Sequence, residues 1–370
     1  MNTSALSNKG TLTKSAIGKI EAKKETHSSK AQKKTATPTF TNIVNIEISS
    51  TVKKTSDNET NVPVKKVIPN ISVNSRWAQN GMTVAGGHGH GDATDQLSSP
   101  YGLFVGDTQT MVIADSWNHR IIQWKMGDTD GQVVAGGNDQ GNRLDQLDRP
   151  IDVLIDKETD SLIICEAGNR RVVRWSCESD TTEGEILIDN IRCWGLAMDS
   201  QRYIYISDTD NHEVRRYQIG NENGIIVAGG NGEGTRLNQL NFPTYVFVDQ
   251  QQNVYVSDNA NHRVMKWGKD AKEGIIVAGG QGKGNALTQL SSPQGLFVDT
   301  MGTIYVADCI NDRVMRWSKG AKQGTVVVGG NGEGKGENQF NGLRGLSFDR
   351  HGNLYVVDCR NHRVQRFSIA

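Results

Sequence analysis

The sequence lacks any apolar run near the ~20 residues that a helix needs to cross a bilayer. No helical membrane span is therefore expected. Its first residues also lack the apolar stretch of a secretory leader, so none is read there. Cysteines are few: Cys165, Cys177, Cys193, Cys309 and Cys359. An odd number without regular spacing argues against a disulfide framework and favours a reducing, cytoplasmic setting. Net charge is absent as a total, since 41 acidic and 41 basic side chains cancel. They are unevenly spread, however. Residues 1–75 carry 12 Lys, no Arg and 5 acidic groups, a balance of +7, which leaves −7 on the rest.

Residues 1–75 are also poor in large apolar side chains and rich in Lys, Thr, Ser and Asn. Such a segment buries too little surface to offset its ordering entropy, and it reads as a disordered tail. Its one apolar patch, Phe40 to Ile48, suits a short strand or a partner-binding segment.

What the chain has in abundance is repetition. From residue 76 onward one ten-residue phrase recurs, as DNANHRVMKW at 258–267 and DCINDRVMRW at 308–317. Its anchor asparagines are Asn118, Asn169, Asn211, Asn261, Asn311 and Asn361, at steps of 51, 42, 50, 50 and 50. A period of this length means a repeat architecture. Within the copy at 293–342, Gly295–Asp299, Ile304–Asp308, Arg313–Trp317 and Thr325–Gly330 read as four short strands with hairpin-length links. A lone four-stranded sheet cannot cover both its faces, whereas copies packed around an axis cover one another. The expected fold is all-β, a single six-bladed propeller over 76–370. Large rings close the third strands at Trp124, Trp175, Tyr217, Trp267, Trp317 and Phe367, where sheets would pack. The last copy stops at Ala370 one strand short, and Met82–Gly87 matches the missing strand. The N-terminal strand is expected to close the ring.

The phrase resembles the NHL repeat, whose triad stands here as NHR at 118–120, 261–263 and 361–363. It becomes NRR at 169–171, NHE at 211–213 and NDR at 311–313. The resemblance covers 77–370. It implies a six-bladed propeller that serves as a non-catalytic binding or scaffold module for a protein or peptide. Two alternatives come with it. One is a metal-dependent lyase or lactonase of related propeller fold. The other is an RNA-binding or ubiquitin-ligase-associated module. Ligase members carry RING and B-box zinc sites, and residues 1–75 offer no Cys and only His27. RNA binding needs a basic face, which a body at −7 does not favour; the tail could still touch acidic polymers.

The individual motifs divide into structural and functional candidates. The carboxylates Asp115, Glu166, Asp208, Asp258, Asp308 and Asp358 form a ring that could hold cations. Six equal local motifs instead suggest that each caps its own turn. The asparagines of the triad read as structural as well. The Gly-rich links at 86–100, 136–150, 229–243, 279–293 and 329–343 lead into strands and not helices, so phosphate binding is not expected. Their glycines suit positive φ, and Gln96, Gln146, Gln239, Gln289 and Gln339 suit a repeated loop-pinning bond. His88 and His90 lack a third ligand, so neither a metal nor a cofactor is assigned.

The irregular copies carry the functional expectation. The link into the third blade shrinks to 188–194, and blade two has Ile151-Asp152 where others have x-Gly. A notch lined by Trp117, Asp152, Glu166 and Trp194 is expected on the face of the links and turns. Tyr101, Tyr245, Arg344 and Arg360 are expected around the axis, and the chain is expected to be a monomer.

Overall fold

The computed structural model describes residues 69–72, 74–106, 109–177 and 181–370. Of the tail expected over 1–75, residues 1–68, with the patch at Phe40 to Ile48, lie outside them. Six four-stranded antiparallel sheets form the ring of a β-propeller. In blade one the strands are Pro100–Val105, Thr110–Asp115, Arg120–Lys125 and Gln132–Gly136, running from the axis outwards. In blade five they are Pro293–Val298, Ile304–Asp308, Arg313–Trp317 and Thr325–Gly329, each within two residues of its predicted bounds.

Ring closure is as expected. Blade six takes Leu343–Phe348, Leu354–Asp358 and Arg363–Phe367 from the C-terminus. Its outer strand is Met82–Gly86, which pairs with Arg363–Phe367 and sets Ala85 opposite Val364. A second tie reinforces this one. Trp77 bridges to Ile369, its Nε1–H donates to the Gly352 carbonyl at 2.9 Å, and its ring packs on Tyr305 and Phe348. Ile71 is 1% exposed and belongs to the same core. The folded body therefore begins before residue 76, because this short segment buries two large apolar side chains there.

The six expected rings at the ends of the third strands are all buried. Five of the six outer strands leave their blades through a glycine at positive φ, as at Gly136 (φ 67°), where a Cβ would meet the His119 carbonyl at 2.6 Å; blade two uses Asn190 (φ 54°) instead. Inner strands approach one another closely as well. A Cβ on Gly345 would lie 2.8 Å from the Tyr101 carbonyl of the neighbouring blade. Among the described residues no helix is long and apolar enough to cross a membrane.

Candidate functional site

The turn carboxylates do not cap their own turns, except in blade three. Asp115 Oδ1 accepts the N–H of Ser98, seventeen residues earlier, at 2.6 Å. Its Oδ2 accepts from Asn118 Nδ2 at 2.7 Å and Arg120 Nε at 2.8 Å. Asn118 and Arg120 then donate onward to carbonyls of the link, at Gly91, Asp92, Ala93 and Gln96. The carboxylate is thus the hub that lashes the Gly-rich link to the blade that follows it. Blades four, five and six repeat this through Asp258, Asp308 and Asp358 with Arg263, Arg313 and Arg363. Glu166 does the same with Arg171 at 2.6 Å and the Asp148 N–H at 2.7 Å. Glu166 is fully buried and belongs to this lattice rather than to an open notch. Burial pushes the carboxyls of Asp115, Glu166, Asp258 and Asp308 up from their ordinary values, against the pull of their donors. Each link is further pinned by its glutamine, as Gln146 Nε2 donates to the Asn138 carbonyl at 2.8 Å.

The triad histidines join neighbouring blades. Nδ1 of His119, His262 and His362 accepts the N–H of Arg149, Ser292 and Ser99 at 3.1–3.2 Å. Only a neutral ring can accept there, and burial lowers all three below the ordinary 6.5. A histidine lowered on folding contributes its stability in full above 6.5 and loses it as pH falls through the folded value. The urea midpoint is expected to be lower at about pH 5 than at about pH 8, with a smaller difference in His262→Gln. A pH-independent midpoint would count against this role.

Blade three departs from the lattice in a coordinated way. Its link is too short to need holding, and Glu213 replaces the arginine. Asp208 is left to accept from its own turn, at the N–H of Asp210 (3.1 Å) and of Asn211 (3.4 Å). In place of the lattice, a disulfide joins Cys165 of blade two to Cys193 of blade three, with Cα atoms 5.7 Å apart. No disulfide framework was expected, and this single bond removes the sequence argument for a reducing compartment. The two cysteines sit in different slots of different repeats, so no spacing rule links them; the shortened link brings them together. Cys177, Cys309 and Cys359 are free. Reduction of the native protein is expected to destabilise it by about 3.5 kcal/mol, for a sequence separation of 28. The double variant Cys165→Ala, Cys193→Ala should show no response to reductant. Equal melting with and without reductant in the native chain would refute the bond's role.

With the lattice residues committed, the turns expose the position between Asp and Asn. Trp117 is 64% and Ile310 57% exposed there, and Arg360 holds the same position in blade six. Blades five, six and one are consecutive, so these three form one arc. Across the ring Asp210 is paired with Arg170 and Arg192. At the axis, Trp194 packs on Tyr101 at 5.9 Å and on Phe242 at 5.1 Å, and Arg344 lies 4.8 Å over the Tyr101 ring. Tyr245 is buried among them. The structure thus brings Tyr101, Trp194, Tyr245 and Arg344 together, and leaves Trp117 and Arg360 on the outer arc. Asp152 is 7% exposed and accepts the Leu196 N–H of blade three at 2.9 Å. His88 pairs with Asp95, and His90 with the Ser98 hydroxyl. Below the axial cluster a cavity of about 370 Å³ opens on the opposite face, lined by Phe104, Leu154, Phe247 and Phe297 together with Asp152 and Tyr245. The sequence reading missed this cavity.

Residues 340–367, the Asp-Cys-Arg-Asn turn of blade six and its flanks, match the family model described as NHL repeat. The chain is a six-bladed propeller whose sixth blade matches the NHL repeat. No curated protein matches this chain in sequence. Solved structures match it in fold at low identity. An auxiliary nutrient binding protein from Bacteroides thetaiotaomicron is 15% identical, covering 80% of this chain and 77% of that one, with a TM-score of 0.62. A gluconolactonase from Xanthomonas campestris is 14% identical, covering 81% and 99%, with a TM-score of 0.53. A virginiamycin B lyase from Staphylococcus aureus is 10% identical, covering 80% and 100%, with a TM-score of 0.51. These likenesses establish shared architecture, on which unrelated activities occur.

Proposed function

We propose that this NHL propeller is a binding module for a protein or peptide, engaged on the face of the links and turns. The observation that carries this is the arc of Ile310, Arg360 and Trp117. It sets two large exposed apolar side chains and a cation at equivalent turn positions of consecutive blades. The lattice that holds the turns makes this surface rigid, and an exposed Trp on a rigid base is a common anchor of interface energy. The chemistry suits a segment that pairs an apolar side chain with an acidic one. The alternative, a metal-dependent lactonase or lyase, is supported by likeness of fold alone.

The test is selection of a random peptide library displayed on phage against the intact propeller and against Trp117→Ala. Trp117 is exposed, so the variant is expected to keep its melting temperature. Selected peptides should carry an apolar–acidic pair and bind the variant roughly 30-fold more weakly, the loss of an anchor worth about 2 kcal/mol. No enrichment, or equal binding to the variant, would sink the proposal.

A further inference from the structure

The inner strands bring side chains from non-adjacent blades into contact on the axis. Tyr101 of blade one meets Trp194 of blade three, and Arg344 of blade six covers Tyr101. Tyr245 of blade four, across the ring from blade one, lies within electrostatic reach of Tyr101, Arg344 and Asp152. Blades one and four can share neighbours only at the centre of the ring.

This cluster is polar and unsatisfied. Among the described residues, the Nε1–H of Trp194, the hydroxyl of Tyr245 and the Nε–H of Arg344 are buried without a hydrogen-bond partner. So is Oε1 of Gln294, which holds in blade five the inner-strand position of Trp194 and Arg344, and whose amide presents NH2 after a half-turn. Tyr245 is 6% and Gln294 4% exposed. Buried polar groups are nearly always bonded, and several orphans on the inner strands around one axis mark a place built for something else. Their kind shows what. Three are donors, and the side chains that act most strongly on Arg344 electrostatically are Tyr101, Cys309, Cys359 and Tyr245, none a carboxylate. The one carboxylate on the axis, Asp152, is already tied to the N–H groups of Val153 and Leu196. Tyr101, Trp194 and Arg344 are each only partly buried, so the cluster can be reached from solvent.

We infer that the propeller axis is a binding site for a carboxylate, held by the Arg344 guanidinium, the Trp194 Nε1–H and the Tyr245 hydroxyl. A single planar guanidinium flanked by neutral donors matches a planar monoanion. The charge of Asp152 works against a dianion such as phosphate. The carboxylate can come from a free small acid or from a peptide, as a C-terminus or an acidic side chain. The site is separate from the Trp117 arc and stands whether or not that arc docks a partner.

The experiment uses the full chain and acetate. Saturation-transfer NMR of the acetate methyl, with ionic strength held constant by sodium chloride, is expected to show saturable binding. Arg344→Gln should abolish the signal, and Tyr245→Phe should weaken affinity about tenfold while leaving the fold intact. Trp117→Ala should bind acetate as the native chain does. A short neutral peptide with a free C-terminal carboxylate, compared with its amide, then separates the sources. Displacement of acetate by the acid alone assigns the site to peptide carboxylates; displacement by neither assigns it to free acids. Absence of saturable binding, or equal binding by Arg344→Gln, overturns the inference.

Discussion

Removing residues 1–87 is expected to leave a chain that does not form a stable propeller. The deletion takes away the outer strand of blade six, so Arg363–Phe367 becomes an open edge. Phe367, fully buried in the native ring, loses the strand beside it. The same deletion removes Trp77 and Ile71, which are 3% and 1% exposed. Loss of a buried Trp costs about 3–5 kcal/mol and of a buried Ile about 2–5 kcal/mol. Together with the strand pairing, this reaches the whole stability of an ordinary domain, about 5–15 kcal/mol. Circular dichroism should show lost β-structure or a collapsed melting temperature. Trp77→Ala alone should lose about 3–5 kcal/mol and still fold. A truncated chain that melts where the full chain does would show that the ring needs no closure of this kind.

The second large effect is expected at the lattice hub. Asp308 is fully buried and Arg313 is held by it at 2.8 Å. Asp308→Ala strands a buried guanidinium and also frees the N–H of Ser291 and the Asn311 amide. Breaking such a pair from one side costs about 3–5 kcal/mol. Asp208 of blade three provides the control, because Glu213 stands where the arginine would be and no such charge is left behind. Asp208→Ala should cost about 1 kcal/mol, the value of its turn bonds. Urea denaturation of the two variants measures both. Equal losses would mean that the hub contributes no more than a turn cap.

This contrast shows how much of the site could be read in advance. Trp194 and Asp152 were legible as departures from the repeat; Trp194 packs on Tyr101 at the axis, and Asp152 bonds to the neighbouring blade. Glu166 was also a departure, yet one added methylene left its role unchanged, because Arg171 and the Asp148 N–H still reach it. The direction of the turn carboxylates was misread. A residue seventeen positions upstream is invisible to local turn chemistry and becomes a partner only when the link folds back over the blade. The pairing of Cys165 with Cys193 was hidden for the same reason.

From its order of residues alone, the chain determined six sheets, their strands, the buried rings between them and the borrowed outer strand that closes the circle. Those features follow from short-range alternation repeated at a nearly constant period, and each copy testifies for the others. Only the folded ring decided which side chains meet at its centre. Blades one, three, four and six are far apart in the sequence, and the orphaned donors of Trp194, Tyr245 and Arg344 share one place because closure of the ring puts them there.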